Sequence, residues 1–425
     1  MKILYLANTF PPEPGSTQRA FHQAIGLRRL GCQVTVLTAI PSYPTGKIYP
    51  DYRGKWFLRE NVDGVEVLRI RAIPMPSRGT LRRLLSLFSF VIAAAAAGLC
   101  LRRFDLVIAR LPSLGTEIAG LLVARFKRSK VLLELEDVPP DNLTLVGLRR
   151  DSWMARRLDA YYRWIFRRMD MIAVLCRRPL EMLLARGVAR DRIVLWPNGA
   201  DRDELDRANG GELRERLGIQ ERFVAVYAGS FSRYYDIPNL VDAAKILRRR
   251  TPRIHLLLVG DGTDRPRIER ALKENDLTNV SSLGPVPWRD VGACLQAADV
   301  FINSLAAAQL PRCYYDHLSA KACEYFMVGR PIISVEDGAV LGRILAETGA
   351  GSSVPPRDPE SLAKALEHFA SNPAACRRCG ENARRFALAN FERMAITKTF
   401  LDQICVRLGL GPESTAIQKD PTACE

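Results

Sequence analysis

The stretch KILYLANTFPPEPGST, residues 2–17, runs from an apolar strand-like start through a proline-rich turn into the first helical face. From Thr17 to Leu30, Ala20, Phe21, Ala24, Ile25, Leu27 and Leu30 recur at helical spacing, and 33–38 is again a short β-branched run. Outward from this unit, 106–111, 131–137, 171–176 and 192–197 read as further buried strands. Near-continuous apolar strands alternating with helices predict a parallel sheet covered on both faces. The pattern restarts after Asn198-Gly199, with strands at 223–230, 254–260, 280–284, 300–305 and 331–335. Between the two series, 201–222 is polar and charged and contains Gly210-Gly211, which marks a domain boundary.

At 425 residues the chain has room for two to three domains of about 150 residues each. The expected fold is α/β: two Rossmann-like, doubly wound domains, 1–200 and 201–390, facing across a cleft. A helix over 391–410 is expected to cross back to the first domain, and 411–425 to be a frayed tail. Hydrophobic residues at 48% and charged residues at 25% exclude a disordered chain. Lys plus Arg number 62 against 46 Asp plus Glu, and the net charge of +16 suits nucleic acid, an anionic membrane surface or a phosphorylated substrate. The ten cysteines are scattered, with one C-x-x-C at Cys376 and Cys379, so reduced thiols in the cytosol are expected. No signal peptide is read before the first strand.

Residues 84–101 carry no charge and are bracketed by Arg82-Arg83 and Arg102-Arg103. Three readings stay open: a buried crossover helix, a helix with its apolar face in a bilayer interface and its arginines on headgroups, or a spanning helix at the lower length limit. No other stretch approaches spanning length, which excludes a polytopic membrane protein.

In the first domain, Gly15 permits close backbone approach, and the N–H groups of Ser16 and Thr17 are free to meet an anion or a sugar oxygen. Glu134, Glu136 and Asp137, next to Pro139 and Pro140, read as a stiff acidic lip at a strand end. Asp137 there could orient or deprotonate an acceptor hydroxyl, or the lip could be a solvated turn. The D-x-D at Asp201-Arg202-Asp203 follows Pro197-Asn198-Gly199 rather than a strand end, and reads as a decoy. His22, His255, His317 and His368 have no ligand spacing, so no metal is expected.

In the second domain three features converge. Gly229 ends a strand, with Arg233 four residues on; Gly260 and Gly262 end the next strand. Ser319 is a candidate N-cap for a helix that carries Lys321 and Glu324 on one face. A cation and a helix N-terminus for a diphosphate, with a carboxylate for ribose hydroxyls, are what a nucleotide-diphosphate sugar requires. Taken singly, each is also a glycine turn, a surface ion pair or a helix cap.

These residues resemble retaining glycosyltransferases of family 4 with the GT-B fold, over residues 1–408. Within that family the chain is similar to the O-antigen and capsule branch that transfers N-acetylated or deoxy aminosugars, such as the fucosamine transferases. The similarity to the branch lies in Pro41-Ser42-Tyr43-Pro44-Thr45-Gly46, Asp63-Gly64-Val65 with Val67, and Asp137-Val138-Pro139-Pro140. Pro197-Asn198-Gly199 with Asp201, and 258–262, match the family as a whole. The family's donor-holding pair of glutamates, seven residues apart, is matched by Asp316 and Glu324, the first an aspartate. Its phosphate clamp is altered: Ser230 stands where arginine is common and Tyr235 where lysine is, so phosphate contact passes to Arg233 and Lys321. Glu136 stands where many relatives have a histidine.

The resemblance implies a retaining, hexosyltransferase-type enzyme that uses a nucleotide-diphosphate sugar, UDP-linked, and a polyprenyl-diphosphate-linked oligosaccharide acceptor. It implies catalytic roles for Asp137 and Asp316, donor contacts from Gly229, Arg233, Gly260, Gly262, Val286, Lys321 and Glu324, and a sugar loop at Gly15 and Ser16. The nucleotide-sugar is a co-substrate, and no cofactor or metal is expected. The arginines around 84–101, with Arg149, Arg150, Arg156, Arg157, Arg167 and Arg168, imply a cytoplasmic enzyme peripheral on the inner face of the cytoplasmic membrane. Two rivals are a GT-B epimerase or hydrolase that acts without an acceptor and, for its charge alone, a nucleic-acid binder. The dispersal of the basic residues argues against the second.

Overall fold

The computed structural model describes residues 1–411 except 14–16, 44, 75–79, 112–114, 137, 139–151, 233 and 306–316. The expected site residues Gly15, Ser16, Asp137, Arg233 and Asp316, the arginines Arg149 and Arg150, and 412–425 of the expected tail lie outside the described residues.

The first series of elements is β1 (Lys2–Leu6), α1 (Thr17–Arg29), β2 (Gln33–Ala39), β3 (Phe57–Val62), β4 (Val65–Ile70), α2 (Thr80–Cys100) and β5 (Leu106–Arg110). It continues with α3 (Thr116–Lys127), β6 (Lys130–Leu135), α4 (Trp153–Arg168), β7 (Met171–Val174), α5 (Arg177–Ala185) and β8 (Ile193–Leu195). Its sheet runs β3-β4-β2-β1-β5-β6-β7-β8, parallel throughout except for the β3–β4 pair. The order turns back between β1 and β5, the position at which doubly wound sheets open a crevice beyond the strand ends.

The β3–β4 hairpin was not expected. Phe57–Val62 alternates exposed and half-buried positions, as an edge strand does, so it lacks the continuous apolar run of its neighbours. Asp63 and Gly64 form its two-residue turn, both with positive φ (49° and 84°), the geometry that Asp-Gly favours.

The apolar segment is α2, the crossover from β4 to β5, and it is half buried. Ser86, Phe90, Ala94 and Ala95 face the core. Leu84, Leu85, Phe88 and Ile92 are exposed, Phe88 at 63% and Ile92 at 70%. Among the described residues no helix is long and apolar enough to cross a membrane.

The second series is α6 (Arg202–Arg207), α7 (Gly211–Leu217), β9 (Phe223–Ala228), α8 (Ile237–Arg250), β10 (Ile254–Val259), α9 (Arg265–Glu274), β11 (Val280–Gly284), α10 (Trp288–Gln296) and β12 (Val300–Ser304). Then come α11 (Ala320–Val328), β13 (Ile332–Val335), α12 (Val340–Thr348), β14 (Gly351–Val354), α13 (Pro359–Ser371), α14 (Pro373–Asn390) and α15 (Arg393–Leu408). The sheet β11-β10-β9-β12-β13-β14 is wholly parallel. On β9, Val224, Val226 and Ala228 enter one apolar cluster with α10, α11, α12 and α14, while Ala225 and Tyr227 enter another with α8 and α13. Both faces are therefore covered, which is why this strand reads as an unbroken apolar run.

The chain divides into two compact units: the first built on β1–β8, with α15 from Thr397 onward, and the second comprising Pro139–Arg157 and Pro197–Ile396. In the first unit Phe400 of α15 stacks on Trp196, with ring centroids 3.7 Å apart and planes 8° from parallel, both rings buried. Arg407 Nη1 donates to the Ile193 carbonyl at 2.8 Å.

Candidate functional site

In the second unit, Gly229, Gly260 and Gly262 come together at the carboxyl ends of adjacent strands. Gly229 N–H donates to the Val259 carbonyl, Gly260 N–H to Gly284 and Phe231 N–H to Asp261, each at 2.9 Å. A side chain is excluded at Gly260: its φ is +143°, and a Cβ there would lie 1.8 Å from the Gly229 carbonyl oxygen. Val286, beyond β11, is half-buried against the apolar cluster.

α11 begins where the sequence predicts. The Ser319 side chain accepts from Ala322 N–H at 3.4 Å, and Gly329 closes the helix in the left-handed conformation at φ 76°. Cys323, Tyr325, Phe326 and Met327 are buried and lock the helix against β9 and β12; Tyr325 accepts from Ala228 N–H at 2.8 Å and stacks on Phe301. That leaves Lys321 and Glu324 as the polar groups of its first turns.

Lys321 Nζ is buried, 4.6 Å from the Tyr227 ring centroid and 4.2 Å from that of Tyr235. Burial pulls its ammonium down to about 7. Glu324 lies toward Arg393 at the start of α15; burial pushes its carboxyl up to about 7, although the guanidinium favours the charged form. Burial thus moves both groups toward neutrality, Lys321 downward and Glu324 upward. Arg393 Nη2 donates to the Gly199 carbonyl at 3.0 Å, and Asn198 Nδ2 to Leu318 at 3.0 Å, so the Pro197-Asn198-Gly199 turn braces both ends of the site. Asp201 is the N-cap of α6, accepting from Glu204 N–H at 3.0 Å, which accounts for the D-x-D without a ligand.

In the first unit the acidic lip is corrected. Glu134 is not solvated but lies 1% exposed on β6, at the centre of a polar network. Its carboxylate accepts from the Tyr5 hydroxyl, from Gln23 Nε2 at 2.8 Å and from Arg19 Nε at 2.9 Å. Arg19 continues to the Trp196 carbonyl at 2.6 Å. Arg110, the last residue of β5, donates to Glu136 and lies 3.9 Å from Glu134. Burial opposes ionisation of Glu134, but Arg19, Arg110 and the two hydrogen bonds together hold its carboxyl below the usual range. Glu136, next to Asp137, is thereby clamped. Tyr5, Arg19, Gln23 and Arg110 were missed in the sequence: Arg19 and Gln23 share one face of α1, but Tyr5 on β1, Arg110 on β5 and Glu134 on β6 belong to other elements, and no local spacing joins them to that carboxylate. Glu13 ties the β1 turn down in the same way, accepting from Ser42 and Tyr43 N–H at 2.8 Å.

Comparison with known proteins gives the family of both units. Residues 15–199 match the glycosyl transferase 4-like domain, and residues 211–386 match glycosyl transferases group 1. The chain belongs to the glycosyltransferases of the family 4 type, and its architecture is GT-B. It is 23% identical to the putative colanic acid biosynthesis glycosyl transferase WcaI of Escherichia coli K12, over 95% of this chain and 100% of that one. Among solved structures it is similar to sucrose-phosphate synthase from Thermosynechococcus elongatus, with TM-score 0.70 and 20% identity, over 96% of this chain and 99% of the other. It is also similar to Anabaena HepE in complex with UDP-glucose, with TM-score 0.67 and 16% identity, over 96% and 100% of the two chains.

Proposed function

We propose that this glycosyltransferase moves a sugar, an N-acetylated or deoxy aminosugar, from a UDP-sugar to a polyprenyl-diphosphate-linked oligosaccharide during cell-surface polysaccharide synthesis, with retention and without a metal. The observation that carries the donor half is the convergence of Gly229, Gly260 and Gly262 with Lys321 and Glu324 at one sheet edge of the second unit. The colanic acid role of WcaI and the UDP-glucose bound by HepE support the class of product and donor. In this reading Glu324 accepts from the ribose hydroxyls, Lys321 and Arg233 hold the diphosphate, Asp316 orients the sugar and Val286 borders the base. As the glycosidic bond breaks, charge grows on the leaving diphosphate, and Lys321, Arg233 and the α11 N-terminus stabilise it. The first unit takes the acceptor, with Gly15 and Ser16 near the transferred sugar and Asp137 on the attacking hydroxyl.

Purified enzyme given UDP-sugars and a polyprenyl-diphosphate acceptor should release UDP only when acceptor is present. Asp137→Ala should lower kcat with little change in donor KM. Equal release without acceptor would replace this reading with hydrolysis or epimerisation.

The exposed face of α2 supports a place on the cytoplasmic membrane surface. Leu85, Phe88 and Ile92 lie between the exposed Arg82 and Arg102-Arg103, and α3 beside them exposes Leu122 and Phe126. Co-sedimentation with phosphatidylglycerol vesicles should fall as salt rises and be lost in Phe88→Asp/Ile92→Asp. Binding unchanged by both would contradict it.

A further inference from the structure

Lys321 has a setting unlike that of an ordinary phosphate-binding cation. Its Nζ is buried, and among the described residues no hydrogen-bond acceptor meets it. What surrounds it is aromatic: the faces of Tyr227 from β9 and Tyr235 from the turn before α8, with the bare backbone of Gly229 alongside. Ring faces attract a cation through their quadrupole but supply no lone pair, so an ammonium there keeps three unanswered donors. Such a group is driven toward the neutral amine until an anion arrives.

The titratable groups nearby, among the described residues, do not supply that anion. Burial raises the phenols of Tyr227 and Tyr235, which stay neutral through pH 9, and Tyr227 donates to the Ser230 carbonyl at 2.8 Å. Tyr325 is likewise raised by burial and held on the Ala228 backbone. Glu324, one turn along α11, interacts with Arg393 and Glu204, and burial is the one cause that moves Lys321.

We propose that donor recognition is proton-coupled through Lys321: above neutral pH it meets the donor as a neutral amine, and the diphosphate that enters beside Gly229 and Tyr235 draws a proton from solvent onto Nζ. This rests on the donor-site reading above. One amine, one solvent proton and one diphosphate become an ammonium–diphosphate pair, and no covalent bond changes. Tyr235, which stands where the family clamp has lysine, is then a positioning residue that keeps the free site uncharged.

The test is the Kd of UDP-glucose for the full chain by titration calorimetry from pH 6 to 8.5. Its diphosphate diester has no proton to exchange in that range, so any slope belongs to the protein. With Lys321 at about 7 in the free protein and fully protonated in the complex, its loss of the proton alone weakens affinity about 16-fold from pH 7 to 8.5, and ionisation of Glu324 offsets this about twofold, leaving a net weakening of about 8-fold. Lys321→Met should bind more weakly and lose the basic limb, its affinity rising about twofold over the same interval as Glu324 ionises. Glu324, at about 7, acts in the opposite sense: it must lose its proton, so Glu324→Gln should remove the weakening below pH 7 and steepen the loss from pH 7 to 8.5 to about 16-fold.

Equal Kd at pH 7 and 8.5, or a basic limb that survives in Lys321→Met, overturns the inference while leaving the donor site standing. Failure of UDP-, dTDP- and GDP-glucose to bind at any pH overturns the donor reading and the inference with it. A ligand-free measurement checks the premise. Because Lys321 titrates lower when folded than its unfolded value of about 10.4, the unfolded chain binds more protons between those values, and stability rises with pH there. Lys321→Met should raise Tm most at and below about pH 7, with the gain shrinking toward pH 10; a gain independent of pH counts against the neutral amine.

Discussion

Glu324→Ala is expected to weaken UDP-sugar binding by about 10–100-fold, because the hydrogen bonds of a charged carboxylate to ribose hydroxyls contribute roughly 1.5–3 kcal/mol. The fold should survive. The helix is anchored by Cys323, Tyr325 and Phe326, which are buried, and alanine has the highest helix propensity. The carboxyl is pushed up to about 7 by its burial, so the free protein tolerates it rather than depends on it. Arg393, which donates to the Gly199 carbonyl at 3.0 Å, is expected to keep that bond in the variant. Calorimetric Kd values for wild type, Glu324→Gln and Glu324→Ala decide the matter, the amide falling between the other two. A Kd within twofold of wild type in the alanine variant would remove Glu324 from the donor site.

Arg110→Met carries the largest expected effect on stability. Arg110 is 4% exposed and serves two carboxylates, Glu134 and Glu136, of which the first is wholly enclosed. Removal of one partner from a buried charge cluster costs about 3–5 kcal/mol, because the remaining charge keeps its desolvation penalty. For a unit of this size that lowers Tm by on the order of 10 °C. The double variant Arg110→Met/Glu136→Gln should lose less than the sum of its parts, since the groups share one network. The network also sets a pH dependence. Glu134 ionises at lower pH when folded than when unfolded, so its contribution is present above the unfolded value of about 4.3 and is lost as pH falls through the lower, folded value. Glu134→Gln should flatten that acid limb of Tm. A Tm for Arg110→Met within a degree or two of wild type would show the cluster to be dispensable.

How far the sequence could be read follows from whether a signal is local. Most of the parallel strands were legible because burial on both faces leaves runs such as Ile254–Val259 without a polar residue apart from His255, although β4 was missed, and helix α11 was legible because Ser319 and Gly329 are local start and stop signals. Hairpin strand β3 was hidden by its own alternation, although Asp63-Gly64 advertised the turn. β14, Gly-Ser-Ser-Val, is too short and polar to be seen without its partner β13. In the site, the glycines and the Lys321–Glu324 spacing were visible, whereas the Tyr227–Tyr235 setting of Lys321 depends on contacts made 86 residues or more apart in number. The same holds for Glu134: a carboxylate beside Glu136 and Pro139 reads as solvated until Tyr5 and Gln23, more than a hundred residues earlier, are placed against it.

The most direct measurement is thermal unfolding of the purified protein with UDP, GDP, dTDP, CDP and ADP in turn. A ligand at about 100 times its Kd stabilises by roughly 2.7 kcal/mol, enough to move the transition. The donor-site account predicts a rise in Tm with UDP that Glu324→Ala reduces. No rise with any of the five nucleotides would contradict it.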